Sequence, residues 1–260
     1  MTQRHSRYIA SGREQEIFRA AWRSGLPVLL KGPTGCGKTR FVQSMAEELG
    51  RPLISVACHE DLTAGDLVGR FVLQGGDTQW QDGPLTRAVR EGAICYLDEV
   101  VEARADTTVV IHPLADHRRE LNIERLGEHL LAPDDFMLVL SYNPGYQSVL
   151  KDLKPSTRQR MVAIELGYPA ADVERRIIQS ETGVEGHVAD SLVRLGQAIR
   201  RLDHAGLAEV ASTRTLVSAA LLVQAGISLR EAADVAIAGP LSDDPGITRQ
   251  LFELVAAHVR

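Results

Sequence analysis

Between positions 31 and 40 the chain reads KGPTGCGKTR, and residues 32–39 fit the spacing GxxxxGK[ST]. Residues that lack a Cβ let successive main-chain N–H groups turn inward and approach a polyphosphate closely, and a helix starting at this point adds the positive end of its dipole. The spacing assigns Gly32, Pro33, Thr34, Gly35, Cys36, Gly37, Lys38, Thr39 and Arg40 to a nucleotide phosphate site, with Lys38 reaching the β- and γ-phosphates and the Thr39 hydroxyl holding Mg²⁺. A second constellation closes the stretch AICYLDEV. Asp98 suits a magnesium-holding role, directly or through water, and Glu99 suits a general base that polarises an attacking water. Asn143, in LVLSYNPG, is the third: its amide can orient a water or sense a γ-phosphate without adding charge. The three together describe phosphoryl transfer to water. The guanine-reading NKxD pattern is absent, which points to ATP.

These residues need a frame that brings them to one place. Short apolar runs with little polar alternation recur at 27–31, 52–57, 93–97, 136–142 and 161–166, separated by segments of helical periodicity. Such runs predict strands buried on both faces, hence an α/β unit with a five-stranded parallel sheet between helices. Asp98 and Asn143 then fall at carboxyl ends of strands, where open α/β sheets bind ligands. An amphipathic helix is expected over 13–24, where Ile17, Phe18, Ala21 and Trp22 share a face. From 170 to 260 the periodicity is helical throughout, which predicts a small all-α domain after an α/β domain spanning 1–169. Two hairpins are expected inside the first domain, near 70–83 around Gly75-Gly76 and near 118–130. Phe71 and Trp80 in the first suit either a substrate grip or core packing.

The 260 residues carry 34 acidic and 29 basic side chains, a net charge of −5 that weighs against a general nucleic-acid binder. The cluster His117, Arg118, Arg119 is expected to be a solvated turn. Cys36, Cys58 and Cys95 lack metal-like spacing and are expected as buried thiols, and His112 and His117, five apart, do not share a helical face, so no structural zinc is expected. No apolar run approaches the roughly 18 residues of a membrane span, and no secretory signal is seen at the N-terminus, so a cytoplasmic location is expected.

The set GPTGCGKT, CYLDEV and SYNPG, in that order before a helical region, resembles the AAA+ ATPases. The longer stretches ACHEDLTAGDLVGRF, WQDGPLTRAVREGAICYLDEVVEA and YNPGYQSVLKDLKPSTRQR resemble the CbbQ/NorQ branch of the MoxR group. The resemblance implies a homo-oligomeric ring, commonly a hexamer, with ATP and Mg²⁺ at subunit interfaces and the helical domain acting as a lid. It implies an arginine supplied by the neighbouring subunit, for which KPSTRQR offers Arg158 and Arg160; Met161 stands where the family pattern has an aromatic, which leaves the choice open. It also implies a sensing role at the nucleotide for Arg214, which follows the candidate caps Ser212 and Thr213. In this family the hairpins face the pore or the partner. The implied function is an ATP-driven motor working with a von Willebrand factor A domain protein of the CbbO type, with inhibited rubisco as target. The alternatives are a NorQ-like role in nitric oxide reductase maturation, a nucleotide-gated assembly scaffold, and a DNA-handling motor.

Overall fold

All five apolar runs become strands. The computed structural model describes residues 8–104, 107, 109–144, 155–202 and 209–259. In it β1 (Val28–Lys31), β2 (Leu53–Ala57), β5 (Ile94–Asp98), β8 (Met137–Tyr142) and β9 (Val162–Glu165) form a five-stranded sheet. Its order is β2-β5-β8-β1-β9, and every pairing is parallel. Parallel neighbours need crossovers, and the helices between the runs supply them. Val28, Leu30, Ile94, Tyr96, Val139 and Leu140 of β1, β5 and β8 are fully buried, as the lack of polar alternation predicts, whereas the edge strands β2 and β9 are not buried on both faces and leave Ser55 and Ala163 exposed.

Sheet order matters for function because β5, β8 and β1 are adjacent. Leu97 pairs with Leu140 and Lys31 with Tyr142, so the residues following each strand emerge side by side. Helix α1 (Glu14–Arg23) buries Phe18, whose ring meets Phe41 of α2 (Lys38–Leu49) edge-on at 5.4 Å. Each such fully buried side chain contributes roughly 1.5–3 kcal/mol.

Both hairpins form. After the short helix α3 (Ala64–Val68), capped reciprocally by Thr63 and Asp66, β3 (Gly69–Gln74) pairs antiparallel with β4 (Asp77–Asp82). Gly75 and Gly76, at φ 64° and 93°, make the two-residue turn, a conformation other residues adopt only with strain. Helix α4 (Pro84–Glu91) follows, and β6 (Glu120–Ile123) pairs with β7 (Glu128–Leu131) in the second hairpin. Phe71 does not enter the core: it stays 46% exposed and stacks edge-on against Trp80 at 5.2 Å, as their direct cross-strand pairing dictates.

The expectation of a solvated basic turn at 117–119 is corrected at Arg119. Arg118 pairs with Asp116 on the surface, but Arg119 turns inward and donates to the carbonyls of Gly25, Pro133 and Phe136. Its backbone at φ 51° is the local cost of that docking.

Contacts divide the chain into two compact units. The first holds 12–33 and 38–166, and the second holds 1–11, 34–37 and 167–260. The helices of the second unit, Ala171–Thr182, Gly186–Arg200, Thr213–Gln224, Leu229–Ala233 and Pro245–His258, enclose Ile178, Leu192, Leu195, Leu216, Ile237 and Val255. Leu229–Ala233 runs on into a π turn at Asp234–Ala238, which the plain helical expectation did not contain. Gly196 allows close helix packing, since a Cβ there would stand 3.0 Å from Leu216.

Candidate active site

The phosphate loop joins β1 to α2, as the motif requires. Lys38 is only 6% exposed, and its ammonium donates to the carbonyls of Gly32 (2.9 Å) and Pro33 (3.3 Å). A buried ammonium needs such partners, and it stands 3.5 Å from Glu99 Oε1. Gly37 lies at φ 104°, and among the described residues a Cβ built on it would meet no atom within 4 Å, so the loop borders open space on this side. An enclosed positive charge beside open space fits a polyphosphate.

Asp98, the last residue of β5, is gripped by hydroxyl groups. Thr39 donates to its Oδ2 at 3.2 Å, while Tyr96 (2.7 Å) and Ser141 (2.5 Å) both donate to Oδ1. Among the described residues no lysine or arginine lies within salt-bridge distance of it, so the chain supplies neutral donors and leaves the negative charge standing. Thr39 and Asp98 together make an oxygen set suited to Mg²⁺, a hard cation that takes carboxylate and hydroxyl ligands. The residues present therefore fit the cation that the motif implies.

Glu99 follows in the left-handed region at φ 52°, ψ 49°, a conformation costing roughly 1–3 kcal/mol outside glycine. Its N–H is held by Ser141 Oγ at 3.2 Å. The turn carries its carboxylate off the strand direction to the Lys38 contact, with the side chain 39% exposed and open to water. Asn143 comes directly after β8 and is buried, at 8% exposure. Cys58 sits close by, and burial, reinforced by the charges of Asp98 and Glu99, pushes its thiol up to about 12. Burial does the same to Cys95, also to about 12, and all three cysteines are buried as expected.

Ser141 and Tyr96 were not singled out from the sequence. A signal existed: in a strand, residues two apart point to one face, so Ser141 shares a face with Asn143 and Tyr96 with Asp98. A hydroxyl inside an otherwise apolar run must find a partner, and here that partner is the acidic pair.

Within the second unit, the loop tip Thr34–Gly37 lies against the start of helix Thr213–Gln224. Gly35 is at φ 72°, and a Cβ there would stand 2.5 Å from Ser212 Oγ and 3.3 Å from the Arg214 Cβ. Ser212 is the cap, accepting from the Thr215 N–H at 3.2 Å; Thr213 is the first helical residue and Arg214 points outward, exposed. Tyr168 donates to the Thr34 carbonyl at 3.0 Å, and burial raises its phenol to about 12. Arg40 is half-buried in the first turn of α2.

Arg158 ends the one-turn helix Pro155–Arg158 and is half-buried. Arg160 is exposed, donates to the Ser156 carbonyl at 3.0 Å and stands 3.9 Å from Asp116. The stretch 145–154, part of the YNPGYQSVLKDLKPSTRQR block, lies outside the described residues. The Nε2 of His112 meets Thr157 Oγ1 at 2.9 Å.

Comparison with known proteins agrees with this geometry. The family model for the AAA domain (dynein-related subfamily) matches residues 27–161, and the CbbQ/NirQ/NorQ C-terminal model matches 174–258. Similar relatives include the denitrification regulatory protein NirQ of Pseudomonas aeruginosa, 64% identical over 97% of both chains. Protein NorQ of Paracoccus denitrificans is 57% identical over 96% of this chain and 93% of its own, and protein CbbQ of Hydrogenophilus thermoluteolus is 56% identical over 92% and 90%. Among solved structures, a putative ATPase from Cytophaga hutchinsonii shares the fold at 18% identity and a TM-score of 0.55, covering 97% of this chain and 91% of that one. The chain belongs to the CbbQ/NirQ/NorQ family of MoxR-type AAA+ ATPases.

Proposed function

We propose that ATP hydrolysis at Asp98 and Glu99 drives the remodelling of a partner protein. The observation that carries this reading is Asp98, a carboxylate held by three hydroxyls and, among the described residues, by no cation. Bound Mg²⁺ would neutralise charge on the phosphate oxygens. Thr39 and Asp98 would hold that ion, and Lys38 would exchange its carbonyl partners for phosphate oxygens. Glu99, oriented by its left-handed turn, would accept the proton of the attacking water. Asn143 would orient that water.

Completion of the site falls to a second copy of the chain in a homo-oligomeric ring, hexameric as in the resemblance. Either Arg158 or Arg160 would present a guanidinium to the neighbour's phosphoryl group, a contribution typically worth roughly 10³ to 10⁵ in turnover. Arg214 would report nucleotide state to the helical unit, which we assign as the lid. Replacing Glu99 by Gln tests the hydrolytic assignment: turnover should drop at least roughly 100-fold with nucleotide binding retained. An unchanged rate would overturn it. Separate Arg158→Ala and Arg160→Ala proteins identify the finger, since only its loss abolishes turnover while each subunit still binds ATP.

Two targets draw equal support. The relative named CbbQ supports inhibited rubisco, and those named NirQ and NorQ support a component of denitrification, nitric oxide reductase in the reading above. In both, a von Willebrand factor A domain protein is the proposed adaptor and the cytoplasm the proposed location. Reactivation of sugar-phosphate-inhibited rubisco by this ATPase and its adaptor would establish the first target. Loss of nitric oxide reductase activity on deletion, restored by the wild type and not by Glu99→Gln, would establish the second.

A further inference from the structure

Ser141 is fully buried on β8, and its hydroxyl has one hydrogen and two lone pairs to place. The hydrogen goes to Asp98 Oδ1 at 2.5 Å. One lone pair accepts the Glu99 N–H at 3.2 Å, and the other faces the Tyr96 oxygen at 3.1 Å. Tyr96 spends its own hydrogen on the same Asp98 Oδ1, at 2.7 Å. One carboxylate oxygen thus holds two short O–H donors, whereas Oδ2 has only Thr39 at 3.2 Å. The two oxygens of Asp98 are unequal: Oδ1 is anchored to the sheet, and Oδ2 keeps its lone pairs for a ligand on the Thr39 side.

We propose that Ser141 is a positioning residue for ATP hydrolysis, a single hydroxyl on β8 that sets the orientation of Asp98 and the left-handed turn of Glu99 together. The inference rests on the reading of Asp98 and Glu99 as the hydrolytic pair. Other buried hydroxyls close on a single group, Thr86 on the Val68 carbonyl, Thr107 on that of Leu62 and Thr213 on the Glu174 carboxylate. Ser141 instead bridges the carboxylate of one acid and the main-chain N–H of the next. Because that N–H belongs to a residue in the left-handed region, the bond also opposes relaxation of Glu99 toward an ordinary extended conformation.

Its loss should therefore act on turnover and on Mg²⁺ use more than on nucleotide affinity. In Ser141→Ala, kcat should fall roughly 10- to 100-fold, the range expected for hydrogen bonds to charged groups, with the KM for ATP within about 3-fold of wild type. A second readout does not depend on turnover: the Mg²⁺ concentration giving half-maximal binding of a fluorescent ADP analogue should rise at least about 3-fold. Ser141→Cys keeps the volume of the site with a weaker donor, so it should show the same kcat-specific pattern at smaller amplitude. It serves as the decisive variant if Ser141→Ala does not fold. Tyr96→Phe removes one donor from Asp98 and leaves the Glu99 bond, so it should shift the Mg²⁺ requirement while sparing more of kcat.

A folded Ser141→Ala or Ser141→Cys protein with kcat and Mg²⁺ half-point both within 2-fold of wild type overturns the inference. Glu99→Gln, measured alongside, separates the two levels. If Glu99→Gln is inactive and the Ser141 variants are normal, the positioning role alone fails; if Glu99→Gln turns over normally, the hydrolytic pair fails and the positioning role goes with it.

Discussion

Two carboxylates, Glu174 fully buried and Asp98 half-buried, one in each unit, are satisfied in opposite ways. Glu174 is fully buried and neutralised: Arg200 donates to both its oxygens, at 2.9 and 2.7 Å, and Thr213 adds a third bond at 2.6 Å. The same guanidinium donates to the Ala211 carbonyl and lies 4.1 Å from the centre of the Tyr168 ring, so each face and edge of Arg200 is used. Asp98 has as many donors and, among the described residues, no countercharge. The difference teaches what each carboxylate is for. A charge neutralised by its own chain fixes helices to one another, and in the proposed function a charge held by hydroxyls is kept available for a cation that arrives with a ligand.

The account can be broken most forcefully at the positive charge beside Glu99. Lys38→Ala removes the enclosed ammonium and should abolish measurable ATP binding in calorimetry; retained affinity would remove the phosphate site from the account. Next comes the neutralised carboxylate. Glu174→Gln leaves Arg200 without its countercharge in a buried position and should cost roughly 3–5 kcal/mol, seen as a lowered denaturant midpoint. Asp98→Asn should leave stability in the absence of Mg²⁺ nearly unchanged, because it removes a charge that no described residue neutralises. A smaller effect is expected at the loop tip, where Gly35→Ala combines a positive φ with contact on Ser212 and should weaken nucleotide binding through loop displacement. Smallest of all, Cys58 and Cys95, whose thiols are held near 12 by burial, should resist alkylation at pH 8 in the native protein and react once it is denatured.

Much of the α/β frame was legible because buried parallel strands leave a distinctive trace, short apolar runs without alternation. The phosphate loop was legible because its glycines answer a local backbone need. Long-range pairing was not. Glu174 reads as one more charge in the amphipathic ADVERRIIQSE, and nothing local marks it as the partner of Arg200, 26 residues away. Arg119 read as solvent-facing for the same reason, since its three carbonyl acceptors lie 14 to 94 residues away in sequence. Ser141 was hidden by its setting inside an apolar strand, where a small hydroxyl passes as tolerated filler until its partners are seen. Phe71 shows the reverse case, an aromatic whose exposure depends on which face of the hairpin it occupies.

The central claim is that Asp98, held by hydroxyls and without a countercharge among the described residues, receives one from Mg²⁺. Titrating Mg²⁺ into nucleotide-binding measurements on wild type and Asp98→Asn tests this directly. The account predicts that Mg²⁺ tightens ATP binding by wild type and that Asp98→Asn loses this enhancement while keeping its metal-free stability. An undiminished Mg²⁺ enhancement in Asp98→Asn would contradict it.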